Sequence, residues 1–283
     1  MPQTTINLLK TGAEANSTDT FRRGNVIELP SEGSLIATGD IHGHRRNFER
    51  IAAYADLANH SDRHVVLHEI IHGGPEDPQG GCLSYKLLFD VIRYKLEYPD
   101  QVHMILGNHD TAVINNTEVM KNGKEMNRSM QLAMEAEFDG ANRQVMLALQ
   151  QFLFSQPLAI RCANRIWVSH SLPADRNVEK FDPGIMSRPL KINDLVRPGS
   201  AYLLTWGRRH SQELLDKMGE AFDVDVFVLG HQPQEQGWCK SGRNCIILAC
   251  EHNHGTLLPI DLGRSYTADE LVESIVPLTS ISC

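Results

Sequence analysis

Gly39-Asp40-Ile41-His42-Gly43-His44 follows directly on the apolar run Leu35-Ile36-Ala37-Thr38. It precedes Arg45 to Ala58, where Phe48, Ile51, Ala52 and Ala55 recur at helical spacing. A run that short and that apolar reads as a buried strand, so Asp40 and His42 fall where a strand gives way to a helix. Open α/β sheets hold their ligands at the carboxyl ends of their strands. A carboxylate and an imidazole two residues apart, on a loop that glycine keeps pliable, can both point at one ion.

The same arrangement comes back twice. His64-Val65-Val66-Leu67 leads into His68-Glu69-Ile70-Ile71-His72-Gly73-Gly74-Pro75, and Val102 to Leu106 leads into Gly107-Asn108-His109-Asp110. A helix from Ser84 to Tyr98, ended by Pro99, separates these two strands. Strand and helix in alternation predict a parallel sheet. Its strands end on one edge, which gathers the polar loops in one place.

Further along, residues 111–155 read as mostly helical, broken at Asp139-Gly140. Met126, Met130, Met134 and Phe138, spaced by four, are expected to pack in the core. Pro157 to Arg161 and Arg165 to Ser169 predict a hairpin that delivers His170. Val224 to Leu229 predicts a strand ending at Gly230-His231. Asn244 to Ala249 and Thr256 to Leu262 read as strands of an antiparallel portion, and Val26 to Leu29 as an edge strand. Residues 1–25 read as an irregular lead-in and 263–283 as a tail, on a single domain spanning 1–283.

Bulk composition narrows the function. The formal charge of -8 argues against a broad face for nucleic-acid phosphates. No apolar run reaches the roughly 18 residues of a membrane span, and no secretory signal pattern opens the chain. Six cysteines without paired spacing read as packed thiols in a reducing, cytoplasmic compartment. Oligomeric state is not legible.

Asp40, His42, Glu69, Asn108, His109, His170 and His231 therefore collect at the strand ends. Carboxylate, imidazole and amide oxygen together suit manganese, iron or zinc. An anionic group between two sub-sites can bridge two metals, which acidify a water and grip phosphoryl oxygens. An imidazole left unligated can protonate the leaving oxygen.

The series Gly39-Asp40-Ile41-His42-Gly43, Glu69, Gly107-Asn108-His109-Asp110, His170 and Gly230-His231 resembles the calcineurin-like metallophosphoesterase signature. Ile166 to Pro173 is similar to the strand and loop of the PPP-type serine/threonine phosphatases, and Gly230-His231-Gln232 with Gly237-Trp238 to their last metal histidine and the Gly-Tyr beyond it. The resemblance implies a four-layer α/β/β/α sandwich and two divalent ions, manganese foremost. It implies Asp40 and His42 on the first metal, Glu69 bridging, and Asn108, His170 and His231 on the second. His109 becomes the general acid, steadied by Asp110, and the substrate a phosphoprotein or a small phosphoester.

The second block departs from the family. Glu69 replaces an aspartate, His72 replaces the aspartate that orients the catalytic histidine, and Gly73 replaces a phosphate-gripping arginine. Losing that guanidinium forfeits about 2–4 kcal/mol of transition-state stabilisation unless something replaces it; Arg45, Arg46, Arg208 and Arg209 are the candidates. These losses leave open a second reading, a catalytically impaired, phosphatase-like binding protein. His68-Glu69-Ile70-Ile71-His72 also spells the His-Glu-x-x-His zinc-protease motif. That motif works only on a helix, whereas here a strand precedes it and Gly73-Gly74-Pro75 follows.

Overall fold

In the computed structural model, which describes residues 2–121 and 123–282, the chain opens with helix α1 (Pro2–Ser17) and strands β1 (Arg22–Arg23), β2 (Val26–Leu29) and β3 (Ser34–Thr38). Helix α2 (Arg45–Ala55), β4 (Arg63–His68), α3 (Ser84–Glu97), β5 (Val102–Ile105) and α4 (Asn108–Asn115) follow. A small hairpin, β6 (Met120–Lys121) and β7 (Lys124–Glu125), precedes α5 (Met126–Phe138) and α6 (Asn142–Ser155). Next come β8 (Ala159–Cys162), β9 (Ile166–Ser169), α7 (Ser200–Trp206), α8 (Gln212–Phe222) and β10 (Val226–Leu229). The last elements are β11 (Trp238–Ser241), β12 (Cys245–Leu248), β13 (Thr256–Asp261), α9 (Ala268–Val272) and β14 (Val276–Pro277).

Two sheets carry the site. One has the order β14-β13-β3-β4-β5, with β3, β4 and β5 parallel; the other runs β1-β2-β8-β9-β10-β12-β11, with β9, β10 and β12 parallel. Side chains alternate across a strand, and here each face meets a different core. Leu35, Ala37 and Val66 of the first sheet share one core with Ile160, Val168, Val228 and Ile246 of the second. Ile36, Val65 and Leu67 point the other way, into a core shared with Ile51 of α2 and Leu88 and Ile92 of α3. On the far side Trp167 stacks on Phe222 of α8, ring centroids 4.2 Å apart. Strands buried on both faces need near-continuous apolar runs, which is why they stand out in the sequence. The four-layer α/β/β/α sandwich follows. Among the described residues no helix is long and apolar enough to cross a membrane.

Four expectations change. The lead-in is not irregular: Pro2–Ser17 is a helix that buries Ile6, Leu9, Gly12 and Asn16, a stripe with only two large apolar members. Residues 111–155 include the β6–β7 hairpin between helices. The strands β12 and β13 do not pair with each other: β12 lies between β10 and β11, while β13 runs antiparallel to β3 in the other sheet. Val26–Leu29 lies one place in from the edge, beside the two-residue β1.

A buried polar chain anchors α1 at the amino ends of β4 and β5. Lys95, 1% exposed, sends Nζ to Asp19 Oδ2 at 3.1 Å and to two backbone carbonyls. His103 Nδ1 lies 2.9 Å from the same carboxylate oxygen and His103 Nε2 3.1 Å from His64 Nδ1. Removing the carboxylate strands a buried ammonium. Asp19→Asn is therefore expected to cost about 3–5 kcal/mol and to lower Tm by about 10 °C in a thermal melt. Burial works against the Asp19 anion, but His103 and Lys95 outweigh it and hold its pKa at about 2. The folded value lies below the unfolded one, so this stabilisation is complete above pH ~4 and lost as pH falls through ~2.

Candidate metal centre

Asp40 sits where the two sheets meet. It forms a parallel bridge to His68 at the end of β4 and another to Ala249 beyond β12. The carboxyl ends of both sheets thus open onto one spot. From the second sheet, the backbone N–H of His231 donates to Asp40 Oδ1 and Oδ2 at 3.0 and 3.1 Å. Loops from opposite halves of the sequence close on one carboxylate.

The donors fall into two groups. In one, Asn108 Oδ1 lies 2.8 Å from His170 Nε2 and 2.9 Å from His231 Nδ1. The two ring nitrogens are 3.2 Å apart, and Glu69 Oε2 lies 3.0 Å from His170 Nε2. In the other, His42 Nε2 stands 3.8 Å from Asp40 Oδ2 and 3.7 Å from Glu251 Oε2. His42 Nδ1–H donates to the Ile71 carbonyl at 2.9 Å, which leaves Nε2 bare and aimed at the carboxylates. Glu69 Oε1 accepts from the His109 N–H at 3.0 Å while Oε2 has no hydrogen-bond donor. A side chain at Gly107 would strike this carboxylate at 2.5 Å, so glycine there makes room for the longer arm of glutamate.

His42, Glu69, His72 and His231 all hold φ between 43° and 66°. Non-glycine residues there cost about 1–2 kcal/mol each. Such strain gathers where side-chain placement outweighs backbone comfort.

His68 enters the site unforeseen. Its ring is fully buried, with Nε2 2.8 Å from the Thr38 carbonyl and Nδ1 3.1 Å from His170 Nδ1 and 3.3 Å from Asp40 Oδ1. Asp40, His68 and His170 bring ligand atoms within 4.8 Å of one another. The hydrogen bonds order the protons. Nε2–H of His68 goes to Thr38, its bare Nδ1 accepts from His170 Nδ1–H, and His170 Nε2 is left bare toward Asn108. This geometry also removes the protease reading, because His68 ends a strand and Glu69 adopts a left-handed backbone rather than a helical one.

His109 packs edge-on against His42 and sets Nδ1 2.8 Å from His72 Nδ1. His72, not Asp110, is its ring partner. Asp110 Oδ2 instead accepts from Gly107 N at 3.0 Å and Gln156 Nε2 at 3.2 Å, capping α4. Burial, then the charge of Glu69, push the Asp110 pKa up to about 8. Of the four candidate arginines, Arg208 alone touches the cluster, Nε to His231 Nε2 at 3.1 Å. Arg45 pairs with Asp90 at 2.6 Å, Arg46 is the exposed second residue of α2, and Arg209 lines a cavity beside Arg208. A Cβ at Gly73 would meet the His42 carbonyl at 2.3 Å, so no arginine can occupy that position. Lys121 of the hairpin approaches from the other side, 2.5 Å from Glu251.

Electrostatics decide what the cavity suits. Burial pushes both Asp40 and Glu69 upward, with the charge of Glu251 adding to it at Asp40 and that of Asp40 adding to it at Glu69. Neither forms an ion pair with a lysine or arginine among the described residues. Burial also pushes His42, His109 and His231 well below their usual value, and His68 and His72 to about 3. Neutral imidazoles facing buried carboxylates and an orphaned oxygen form a cradle for divalent cations.

The solved structures share this fold. A protein serine/threonine phosphatase from Saccharomyces cerevisiae, with similarity to human phosphatase PP5, superposes with a TM-score of 0.68 at 14% identity, over 92% of this chain and 82% of that one. A cold-active protein-tyrosine phosphatase of a psychrophilic Shewanella species superposes with a TM-score of 0.58 at 16% identity, over 90% and 84%. The profile of the calcineurin-like phosphoesterases matches residues 33–235, the span from β3 through the loop that follows His231. On that match the chain is a metal-binding phosphoesterase and belongs to the calcineurin-like phosphoesterase family.

Proposed function

We propose that the chain hydrolyses phosphoric monoesters at a pair of divalent cations, manganese foremost. Asp40, His42 and Glu69 would hold one, and Glu69, Asn108, His170 and His231 the other. Bound there, the pair supplies an acidified water and neutralises the phosphoryl oxygens. The observation that carries this reading is the convergence of carboxylate, amide and imidazole ligand atoms within 2.8–3.2 Å around His170.

The chain's own residues do the rest. His109 gives a proton to the leaving oxygen, oriented by His72. Arg208 and Lys121 take over the charge that a Gly73 without side chain leaves missing. Arg208's present bond needs His231 Nε2 bare, whereas a cation at Nδ1 needs Nε2 protonated. The two are exclusive, so loading the centre turns the guanidinium toward substrate.

The cysteines of the described residues are free thiols, which supports a cytoplasmic setting, and we read residues 1–283 as one catalytic unit. Metal analysis of the purified protein, with 4-nitrophenyl phosphate hydrolysis before and after chelation, tests the reading. Chelation is expected to abolish turnover and added manganese to restore it. Protein that binds no divalent ion and leaves the ester intact would instead support the impaired, binding-protein reading.

A further inference from the structure

Next to His231 lies a cavity of about 460 Å³ lined by Arg176, Arg197, Arg208 and Arg209. Tyr202 and Trp206 form its apolar wall, their rings stacked with centroids 5.4 Å apart and planes 14° from parallel. The cavity is tied to the catalytic edge at two points. Arg208 reaches His231, and the Trp206 indole N–H donates to Thr111 Oγ1 at 3.1 Å, one residue beyond Asp110.

The charges here are unspent. Elsewhere on the surface Arg45, Arg165, Arg188 and Arg243 each hold a carboxylate. None of the four cavity arginines does among the described residues. The one carboxylate in the lining, Asp175, is bonded to the N–H and hydroxyl of Ser211. Four guanidinium groups around one space repel each other, and the chain as a whole carries -8. Such a local reversal of sign marks a site for an anion. Guanidinium forks match phosphate oxygens in pairs, and the scissile phosphoryl group can engage Arg208 but not the whole set.

Resting on the hydrolase reading above, we infer that the substrate is a small phosphoric ester whose leaving group carries a second phosphate, held by Arg176, Arg197 and Arg209 against the Tyr202–Trp206 wall. A walled cavity of this volume suits a compact molecule. Hydrolysis forms one P–O bond to water and breaks the ester P–O bond. The leaving oxygen departs protonated, as an alcohol that keeps the second phosphate.

The test compares butyl phosphate with butane-1,4-diyl bisphosphate, which share a scissile bond and differ in the remote charge. For the wild type, kcat/KM is expected to favour the bisphosphate by about tenfold or more, and the preference to shrink as salt screens it. In R176Q/R197Q, two exposed positions, the ratio of the two kcat/KM values is expected to fall toward one. A wild-type ratio near one, or a ratio the double variant leaves intact, overturns the inference. So does a phosphopeptide with flanking acidic residues whose hydrolysis depends more on the two arginines than that of the bisphosphate. Hydrolysis of 4-nitrophenyl phosphate reports separately on the hydrolase reading, which can hold while this inference fails.

Discussion

His109→Asn is expected to lower turnover by about 10²–10⁴-fold while the protein keeps its full complement of metal. The imidazole stands outside the donor cluster, against His42 and His72. What His109 lends that cluster is its backbone N–H, 3.0 Å from Glu69 Oε1, which any side chain preserves. Losing a proton donor weighs most where the leaving oxygen is basic. An alkyl phosphate should therefore lose far more rate than 4-nitrophenyl phosphate, whose phenolate leaves without help. Metal analysis beside a leaving-group series reads both. An equal loss across the series would mean that the ring positions substrate without donating a proton, and no loss would remove it from catalysis.

Much of this site could be read from sequence because its parts share a local pattern: a short apolar run, then polar residues in a loop. Asp40, Glu69, Asn108, His170 and His231 all follow such runs, and parallel strands bring their ends together. Glu251 follows one too, after Ile246 to Cys250, and the same reasoning would have found it. His68 was harder. It closes its strand with no loop of its own, and only the fold sets its ring between Thr38 and His170. Lys121 depends on a two-stranded hairpin too short to leave a periodic signal. Helix α1 hid because Gly12 and Asn16 fill half its buried stripe. The pairing of β12 and β13 with different sheets was out of reach, since alternation gives a strand's faces but not its neighbours.

Glu69→Gln separates two roles that one carboxylate plays. It keeps the shape and removes the charge. If Glu69 bridges two cations, the variant should retain less metal after dialysis and lose turnover by about 10²-fold or more. Stability should move the other way. In metal-free protein Glu69 is a fully buried carboxyl with no lysine or arginine partner among the described residues, and its pKa is raised, by burial and then by Asp40. A carboxyl raised on folding costs stability once pH exceeds its unfolded value of about 4.5. The chelated wild type should thus fall behind the chelated variant as pH rises from about 5 to 8. At the upper end the variant should be the more stable by about 1–4 kcal/mol, visible in denaturant titrations. Restoring manganese should reverse the order, because ligands that bind the folded state stabilise it and the wild type holds them better. A variant that keeps its metal and its rate removes Glu69 from the bridge. A chelated variant less stable than chelated wild type would mean that the carboxylate is anchored by the His109 N–H for structure alone.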